Sequence, residues 1–145
     1  MKKLYTILIA MMILTSSLCA TKASDSQAQN SLIWQDEKYT KKEKKAYLKD
    51  KNYGKAGSWE YAKKYCKDLT LDGHKDWHLP TIKQLRYLHQ HKNKLKNVPS
   101  SFYWSSTTRA SYTSYAWAVN FDYGYDYDYV KIVSNYIRCV RLADN

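Results

Sequence analysis

The hydrophobic pattern of this 145-residue chain changes near Pro99, and that change constrains the fold more than any other feature. Before Pro99, apolar residues recur at helical intervals in two segments, 59–69 and 82–92. After it, apolar and polar residues alternate, as they do in half-buried strands. The sequence therefore predicts an α+β fold with two helices and a C-terminal third rich in β-structure.

Local signals give these elements approximate ends. Ser58 is expected to cap the first helix and Thr81 the second. A turn at 122–124 is expected to join two strands into a hairpin. The lysine-rich stretch 36–56 is interpreted as a surface excursion, since its glycines mark a turn. The predicted strands are 32–34, 115–121, 125–133 and 136–142.

The N-terminus has the pattern of a secretory signal peptide, with two lysines, an apolar run at 4–14 and then small residues. That run is shorter than the roughly 20 residues a membrane-spanning helix needs, so no membrane span is expected. Cleavage is expected after Ala20, with Ala23 as the alternative. A second alternative is a lipoprotein acylated at Cys19, but Leu18 occupies a position where a lipobox has a small residue. The predicted organisation is a signal peptide at 1–20, a linker at 21–30 and a domain at 31–145, exported to the periplasm or secreted to the cell surface.

Two cysteines remain after cleavage, Cys66 and Cys139. In an oxidising compartment they are expected to form a disulfide. The alternative is a reactive or metal-binding thiol, which is disfavoured because the chain has neither a CxxC unit nor a Cys/His cluster with zinc spacing. Cys66 lies on the apolar face of the first predicted helix and Cys139 on the last predicted strand. The disulfide would therefore join a helix to the sheet.

Positive charge is concentrated in one half of the chain. The formal net charge is +11, and residues 38–96 hold 17 basic and 6 acidic residues, whereas 100–145 holds 4 of each. For an exported protein this favours a sulfated or carboxylated polysaccharide, lipopolysaccharide phosphate or extracellular DNA over intracellular nucleic acid. The alternative is a solvated lysine face that aids solubility, and it is favoured for the run of lysines at 41–45 taken alone.

Four motifs occur in the order SLIWQD at 31–36, SWEYAKKYCKDLTLDGHKDWHLPTIKQL at 58–85, YWSST at 103–107 and YIRCVR at 136–141. In this order the chain resembles the Legionella collagen-like protein C-terminal domain family, within the C-type-lectin-like and formylglycine-generating-enzyme-like folds. The resemblance implies two helices packed on a twisted antiparallel β-sheet with one disulfide. His78 and Gln84 depart from the usual Arg and Glu of the family. The residues that the resemblance makes structural anchors are Trp34, Trp59, Trp77, Leu79, Pro80 and Trp104.

Catalytic readings of the sequence fail on chemistry. The formylglycine-generating enzymes use a pair of active-site cysteines, and here the mature pair is assigned to the disulfide. His74 and His78 lack the helix and the glutamate of a zinc protease motif. His89 and His91 fall on different helix faces. The serines of WSSTT lack a nucleophile elbow. The prediction is therefore a protein that is not an enzyme and needs no cofactor.

Metal binding is not predicted either. The EPN, QPD and WND triplets of calcium-dependent lectins are missing from the sequence. Asp122, Asp126 and Asp128 offer oxygen ligands of the kind calcium prefers, but turn and solvent roles explain them more simply.

Seven tyrosines occur between Ser111 and Tyr136. Those at 123, 125, 127 and 129 have the same parity, so an uninterrupted strand would place them on one face, with Asp126 and Asp128 on the other. Such a ladder offers large contact area with few rotatable bonds, as in antibody paratopes. The alternative is aromatic pairing that stabilises an exposed sheet. The predicted ligand-binding residues are Tyr112, Tyr115, Tyr123, Tyr125, Tyr127 and Tyr129.

The predicted function is that of an exported, non-enzymatic binding or adhesion domain that recognises an extracellular glycan or anionic polysaccharide. The alternative is a protein-recognition module for a surface protein, with a Tyr-rich face whose composition is compatible with diversification by a retroelement. An enzyme of unknown class ranks third.

Overall fold

The computed structural model describes Gln29 and residues 31–144. The predicted signal peptide and, apart from Gln29, the predicted linker lie outside the described residues, as does Asn145. Contacts divide the chain into Met1–Leu32 and Ile33–Asn145, and the second unit holds the domain. In the described part of the chain, no helix has both the length and the apolar character needed to cross a membrane.

The predicted α+β class is confirmed, although the described residues form three α-helices where two were expected. The helices are α1 (Lys41–Leu48), α2 (Trp59–Asp68) and α3 (Ile82–Gln90), followed by a short 3-10 turn at Lys92–Lys94. The strands are β1 (Leu32–Trp34), β2 (Ala56–Gly57), β3 (Phe102–Thr108), β4 (Tyr115–Asn120), β5 (Asp126–Val130), β6 (Asn135–Tyr136) and β7 (Val140–Leu142).

Five strands form one sheet in the order β2-β6-β3-β4-β5, and β1 pairs with β7 in a second, two-stranded sheet. The large sheet is antiparallel except between β3 and β6, which run parallel with Tyr103 opposite Tyr136. The expectation of a wholly antiparallel sheet is therefore wrong at this pair. β6 lies between β2 and β3 because the chain returns to the middle of the sheet after β5 has formed its outer edge.

Helix α1 corrects the interpretation of 36–56 as a surface excursion. Thr40 and Glu43 form a capping box, in which the Thr40 Oγ1 accepts from the Glu43 N–H and the Glu43 carboxylate accepts from the Thr40 N–H. Glu43 and Ala46 are buried, whereas the lysines of the helix are exposed. The helix was missed because its buried face carries a carboxylate in place of an apolar stripe.

The two predicted helices are present. Ser58 occupies the N-cap position of α2 as predicted, although its side chain makes no capping hydrogen bond. Thr81 caps α3 as predicted, and Gln84 completes its capping box. The departure of Gln84 from the family pattern therefore preserves the cap.

Helices cover both faces of the large sheet, and alternation along β4 divides its residues between two cores. Ala116 and Ala118 pack in one core with the buried face of α2. Val119 packs in the other core, which includes residues of α1 and α3. The second core also holds Tyr103, whereas the neighbouring Trp104 belongs to the first.

The predicted disulfide joins Cys66 of α2 to Cys139, with 5.4 Å between their Cα atoms and both residues fully buried. The predicted last strand is split at this point into β6 and β7. The Ile137 N–H donates to the carbonyl of Lys55, whereas the Cys139 carbonyl accepts from the Gln35 N–H. The strand is interrupted because the chain passes here from the large sheet to the small one.

The expected anchor residues differ in their degree of burial. The indole N–H groups of Trp59 and Trp104 donate to the carbonyls of Ser105 and Gly57, each at 2.8 Å. Trp34 is only partly buried. The remaining anchors are all buried, namely Trp77, Leu79 and Pro80.

Candidate ligand-binding site

Strand β5 forms an edge of the large sheet and carries two of the predicted ligand-binding tyrosines, Tyr127 and Tyr129. Its register with β4 places Tyr127 opposite Ala118 and Tyr129 opposite Ala116. Residues directly opposite in an antiparallel pair share a face, so these tyrosines project on the side of the sheet that α2 covers. The small alanines leave room for the larger rings beside them.

The tyrosines from 123 to 129 form an aromatic ladder, which we call the tyrosine ladder. The rings of Tyr125, Tyr127 and Tyr129 lie 6.2, 6.2 and 5.0 Å from that of Phe102, centroid to centroid. Tyr123 stacks on Tyr125 at 6.0 Å with the planes only 8° apart. The tyrosine ladder is therefore one continuous cluster supported from below by Phe102.

Exposure grows along the tyrosine ladder towards the β4–β5 turn. Tyr127 and Tyr125 are 51% and 50% exposed and Tyr123 is 78% exposed. Tyr129 is partly buried against the first core, and this burial raises the pKa of its hydroxyl to about 12. Tyr129 thus packs against the sheet, while the other three rings are exposed to solvent.

The structure does not bring Tyr112 and Tyr115 to the tyrosine ladder. Tyr115 lies opposite Val130, which places it on the other face of the sheet. Tyr112 lies beside it, with ring centroids 6.4 Å apart, and also contacts the guanidinium of Arg109 at 4.8 Å. Tyr115 and Tyr129 both have odd numbers but lie on opposite faces of the sheet, because the β4–β5 hairpin pairs odd-numbered residues with even-numbered ones. The length of the turn decides this, and the sequence leaves that length open.

The acidic residues of β5 face away from the tyrosine ladder, as predicted, and each meets an arginine. The Arg86 Nε of α3 donates to the Asp126 carboxylate at 2.7 Å, and this hydrogen bond raises the pKa of Arg86. Asp128 pairs with Arg109. Among residues 31–144 no group of three or more His, Cys, Asp or Glu side chains is arranged to hold a metal ion. The two carboxylates are thus engaged with guanidinium groups.

The turn before β5 is held from both sides. The Asn120 side-chain oxygen accepts from the backbone N–H groups of Asp122 and Tyr123 at 2.8 and 3.1 Å. Gly124 has a φ of +80°, and a Cβ there would lie 2.3 Å from Cε1 of His89 on α3. Only glycine fits this left-handed position against the imidazole. The turn therefore fixes the exposed end of the tyrosine ladder.

A second surface lies at α1, which packs beside β2 at the opposite edge of the sheet. Four strand spacings separate the edges, about 19 Å at the usual interval. We call the exposed side of α1 and the residues that follow it the lysine surface. The sequence showed the charge of this surface but not the helix that carries it. It consists of Lys41, Lys42, Lys44, Lys45, Lys49 and Lys51, all exposed.

The histidines and serines considered for catalysis have other contacts. His74 Nδ1 lies 2.8 Å from Nη2 of the buried Arg141, whereas His78 is exposed and pairs through its backbone with Val140. The Ser105 hydroxyl is buried and donates to the Trp117 carbonyl at 2.7 Å. These side chains do not converge on one site.

The sequence was compared with models of known protein families. The sequence model of the Lcl C-terminal domain matches residues 24–141, which is most of the chain. The chain belongs to the Lcl C-terminal domain family. This confirms the resemblance drawn from the order of the motifs. A search of curated proteins finds no match to this Lcl C-terminal domain.

Proposed function

We propose that this Lcl C-terminal domain is an exported, non-enzymatic binding or adhesion domain with a C-type-lectin-like fold, which recognises a glycan through the tyrosine ladder. One observation carries the proposal: Tyr123, Tyr125 and Tyr127 are half or more exposed, yet Phe102 and the β4–β5 turn hold them in place. Binding then costs little side-chain entropy, because the rings are already positioned.

Tyrosine suits this role chemically. Its ring packs on the apolar face of a sugar or of another ring, while the hydroxyl stays hydrated or hydrogen-bonds to the ligand. The carboxylates of β5 are engaged with Arg86 and Arg109, so the proposed recognition uses no bound cation. The surplus of basic residues in 38–96 adds long-range attraction for an acidic polysaccharide and raises its association rate.

The non-enzymatic character is supported by the use of the reactive side chains. Cys66 and Cys139 form the disulfide. The Ser105 hydroxyl is hydrogen-bonded to the backbone. A nucleophile needs a base within hydrogen-bond reach, and none of the His74, His78 or Ser105 contacts provides such a pair.

A second candidate function, protein recognition, is favoured by the free edge of β5. Within residues 31–144, β5 pairs only with β4. The Asn120 N–H donates to the Tyr125 carbonyl, and the Lys131 N–H donates to the Ser114 carbonyl. The backbone groups of the odd-numbered residues along β5 therefore face β4. The groups of Asp126 and Asp128 therefore face outward, where an extended peptide of a surface protein would add a strand beside the tyrosine ladder.

The test is a double substitution, Tyr125→Ala with Tyr127→Ala, assayed on an array of neutral and acidic glycans and by calorimetry with the best-bound glycan. Exposed aromatic anchors commonly carry about 2 kcal/mol or more, so affinity should fall about 30-fold or more while the folded state is retained. The matched control is Tyr112→Ala with Tyr115→Ala, which removes two exposed rings from the opposite face. EDTA should leave binding unchanged.

Equal losses in the two double variants, or unchanged binding with lowered stability in the first, would show that the tyrosine ladder is a structural element. Binding of a cell-surface protein that depends on Tyr125 and Tyr127, with no glycan bound on the array, would select the protein-recognition candidate.

A further inference from the structure

The outward face of α1 combines positive charge with an exposed apolar residue. The inward side of the helix is occupied by Glu43 and Ala46. On the opposite side of the helix, Lys41, Lys44 and Lys45 lie next to Leu48, because residues three and four apart are neighbours on a helix. Leu48 is 79% exposed.

The charge on this face is not compensated by the protein. None of the six lysines of the lysine surface forms an ion pair with a described residue. Glu43, the acid within α1, is buried and pairs with Lys55 at 3.1 Å. Asp50, which follows the helix, accepts a hydrogen bond from the Ser134 N–H. The exposed lysines therefore outnumber the carboxylates beside them, and the net charge of this face is positive.

A depression of about 390 Å³ opens at the side of this face. Lys42, Lys45, Lys49 and Lys51 line it, and the half-exposed Tyr53 forms part of its wall. This volume is large enough for a phosphate headgroup. Tyrosine is also one of the residues that concentrate at membrane–water interfaces, where one end of the ring is apolar and the other hydrated.

We propose that the lysine surface docks the protein on an anionic phospholipid bilayer, with lipid phosphates at the depression and Leu48 entering the headgroup region. Charge complementarity and the exposed leucine together favour a lipid surface over a soluble polyanion, since a fully hydrated polymer gives Leu48 nothing to enter. Clusters of four to eight lysines bind anionic leaflets in this way, each lysine adding about fivefold in partitioning. This contact is peripheral and independent of the glycan proposal.

The experiment measures co-sedimentation of the protein with vesicles of phosphatidylglycerol and phosphatidylcholine in equal amounts, and with vesicles of phosphatidylcholine alone. Replacing Lys42, Lys45 and Lys49 by Gln, three of the four lysines that line the depression, should weaken binding to the anionic vesicles on the order of 100-fold. The matched control replaces Lys75, Lys83 and Lys94 by Gln, because these exposed lysines lie elsewhere and the net charge changes equally. It should lose less than about threefold.

A second pair of variants separates a membrane from a soluble polyanion. Leu48→Gln should lower vesicle binding about fivefold and leave binding to dextran sulfate unchanged. Ile132→Gln is the control, since Ile132 is also 79% exposed but lies after β5. Equal losses in the two lysine triples, equal effects of Leu48→Gln and Ile132→Gln, or lysine-dependent binding to dextran sulfate without vesicle binding would each overturn the proposal.

Discussion

The two edges of the large sheet differ in how their charged groups are balanced. At the β5 edge, Asp126 and Asp128 each meet an arginine, and what remains exposed is aromatic. At the β2 edge, the exposed lysines of α1 have no acidic partner among residues 31–144, and the balanced pair, Glu43 with Lys55, is buried beneath them. One edge thus exposes contact area and the other exposes charge.

The two proposals therefore assign a different mode of binding to each edge of the sheet. Contacts of exposed rings depend little on ionic strength, whereas attraction to the lysine surface is screened within about 8 Å at physiological salt. Binding at the β5 edge should therefore survive added salt that abolishes binding at the β2 edge. Substitutions that disturb one edge should leave the other intact, and that independence can be tested.

The largest effect is expected beneath the lysine surface. The Glu43 carboxylate accepts from the Thr40 N–H at 2.7 Å and from the Lys55 N–H at 2.8 Å, and pairs with the Lys55 ammonium at 3.1 Å. Glu43→Ala leaves the buried Lys55 ammonium without its carboxylate and removes the Glu43 half of the capping box of α1. It should cost about 3–5 kcal/mol of the free energy of unfolding, measured with urea.

The pH dependence of this loss identifies the carboxylate as its cause. Burial raises the pKa of Glu43, but the hydrogen bonds from Thr40 and Lys55 outweigh it and lower the pKa overall. Its stabilisation is thus present above the unfolded pKa and lost as pH falls through the folded one. The difference between native protein and Glu43→Ala should shrink in acid, and a difference that stays constant with pH would contradict the assignment.

The next effect is expected beneath the tyrosine ladder. Phe102 is partly buried in the first core and contacts Tyr125, Tyr127 and Tyr129. Phe102→Ala should cost about 2 kcal/mol of stability, less than a fully buried phenylalanine. It should also weaken glycan binding, because the rings lose the support that positions them. Phe102→Leu is the control, and a Phe102→Ala protein that binds glycan normally would show that the rings position themselves.

Sequence reasoning succeeded where one local signal determines the structure. The spacing of apolar residues predicted the helices α2 and α3, and the structure contains both. The two cysteines that remain after cleavage predicted the disulfide, which is also present. The Thr40-to-Glu43 spacing was also a readable capping-box signal for α1. The high lysine content of this segment favoured a surface loop over a helix. The ion pair that allows Glu43 to be buried involves Lys55, twelve residues away, and a local pattern does not reveal it.

Other features depend on chain geometry that composition does not reveal. The separation of Tyr115 from the tyrosine ladder follows from the register of the β4–β5 hairpin, which a single added turn residue would reverse. The split of the last strand follows from the passage of Ile137–Cys139 between two sheets. Both are settled by which strands pair, and pairing is a tertiary property.

The smallest effect is expected at the turn that ends the tyrosine ladder, and it distinguishes the two edges by pH. His89 packs against Gly124 and lies edge-on to the Phe121 ring at 5.5 Å. Burial, and secondarily the Lys92 ammonium, lower the pKa of His89. Above about pH 6.5 the imidazole is neutral in both the folded and the unfolded chain, so it contributes nothing to a pH dependence. As pH falls through that value the unfolded chain gains a proton before the folded one, and stability decreases by less than about 1 kcal/mol because the ring is partly solvated.

Urea unfolding at about pH 7.5 and about pH 5.5 measures this decrease. His89→Gln should remove it, whereas the control His91→Gln should not. Glu43 stays ionised throughout this interval, so the decrease belongs to the β5 edge, and an equal decrease in the His89→Gln protein would assign it elsewhere.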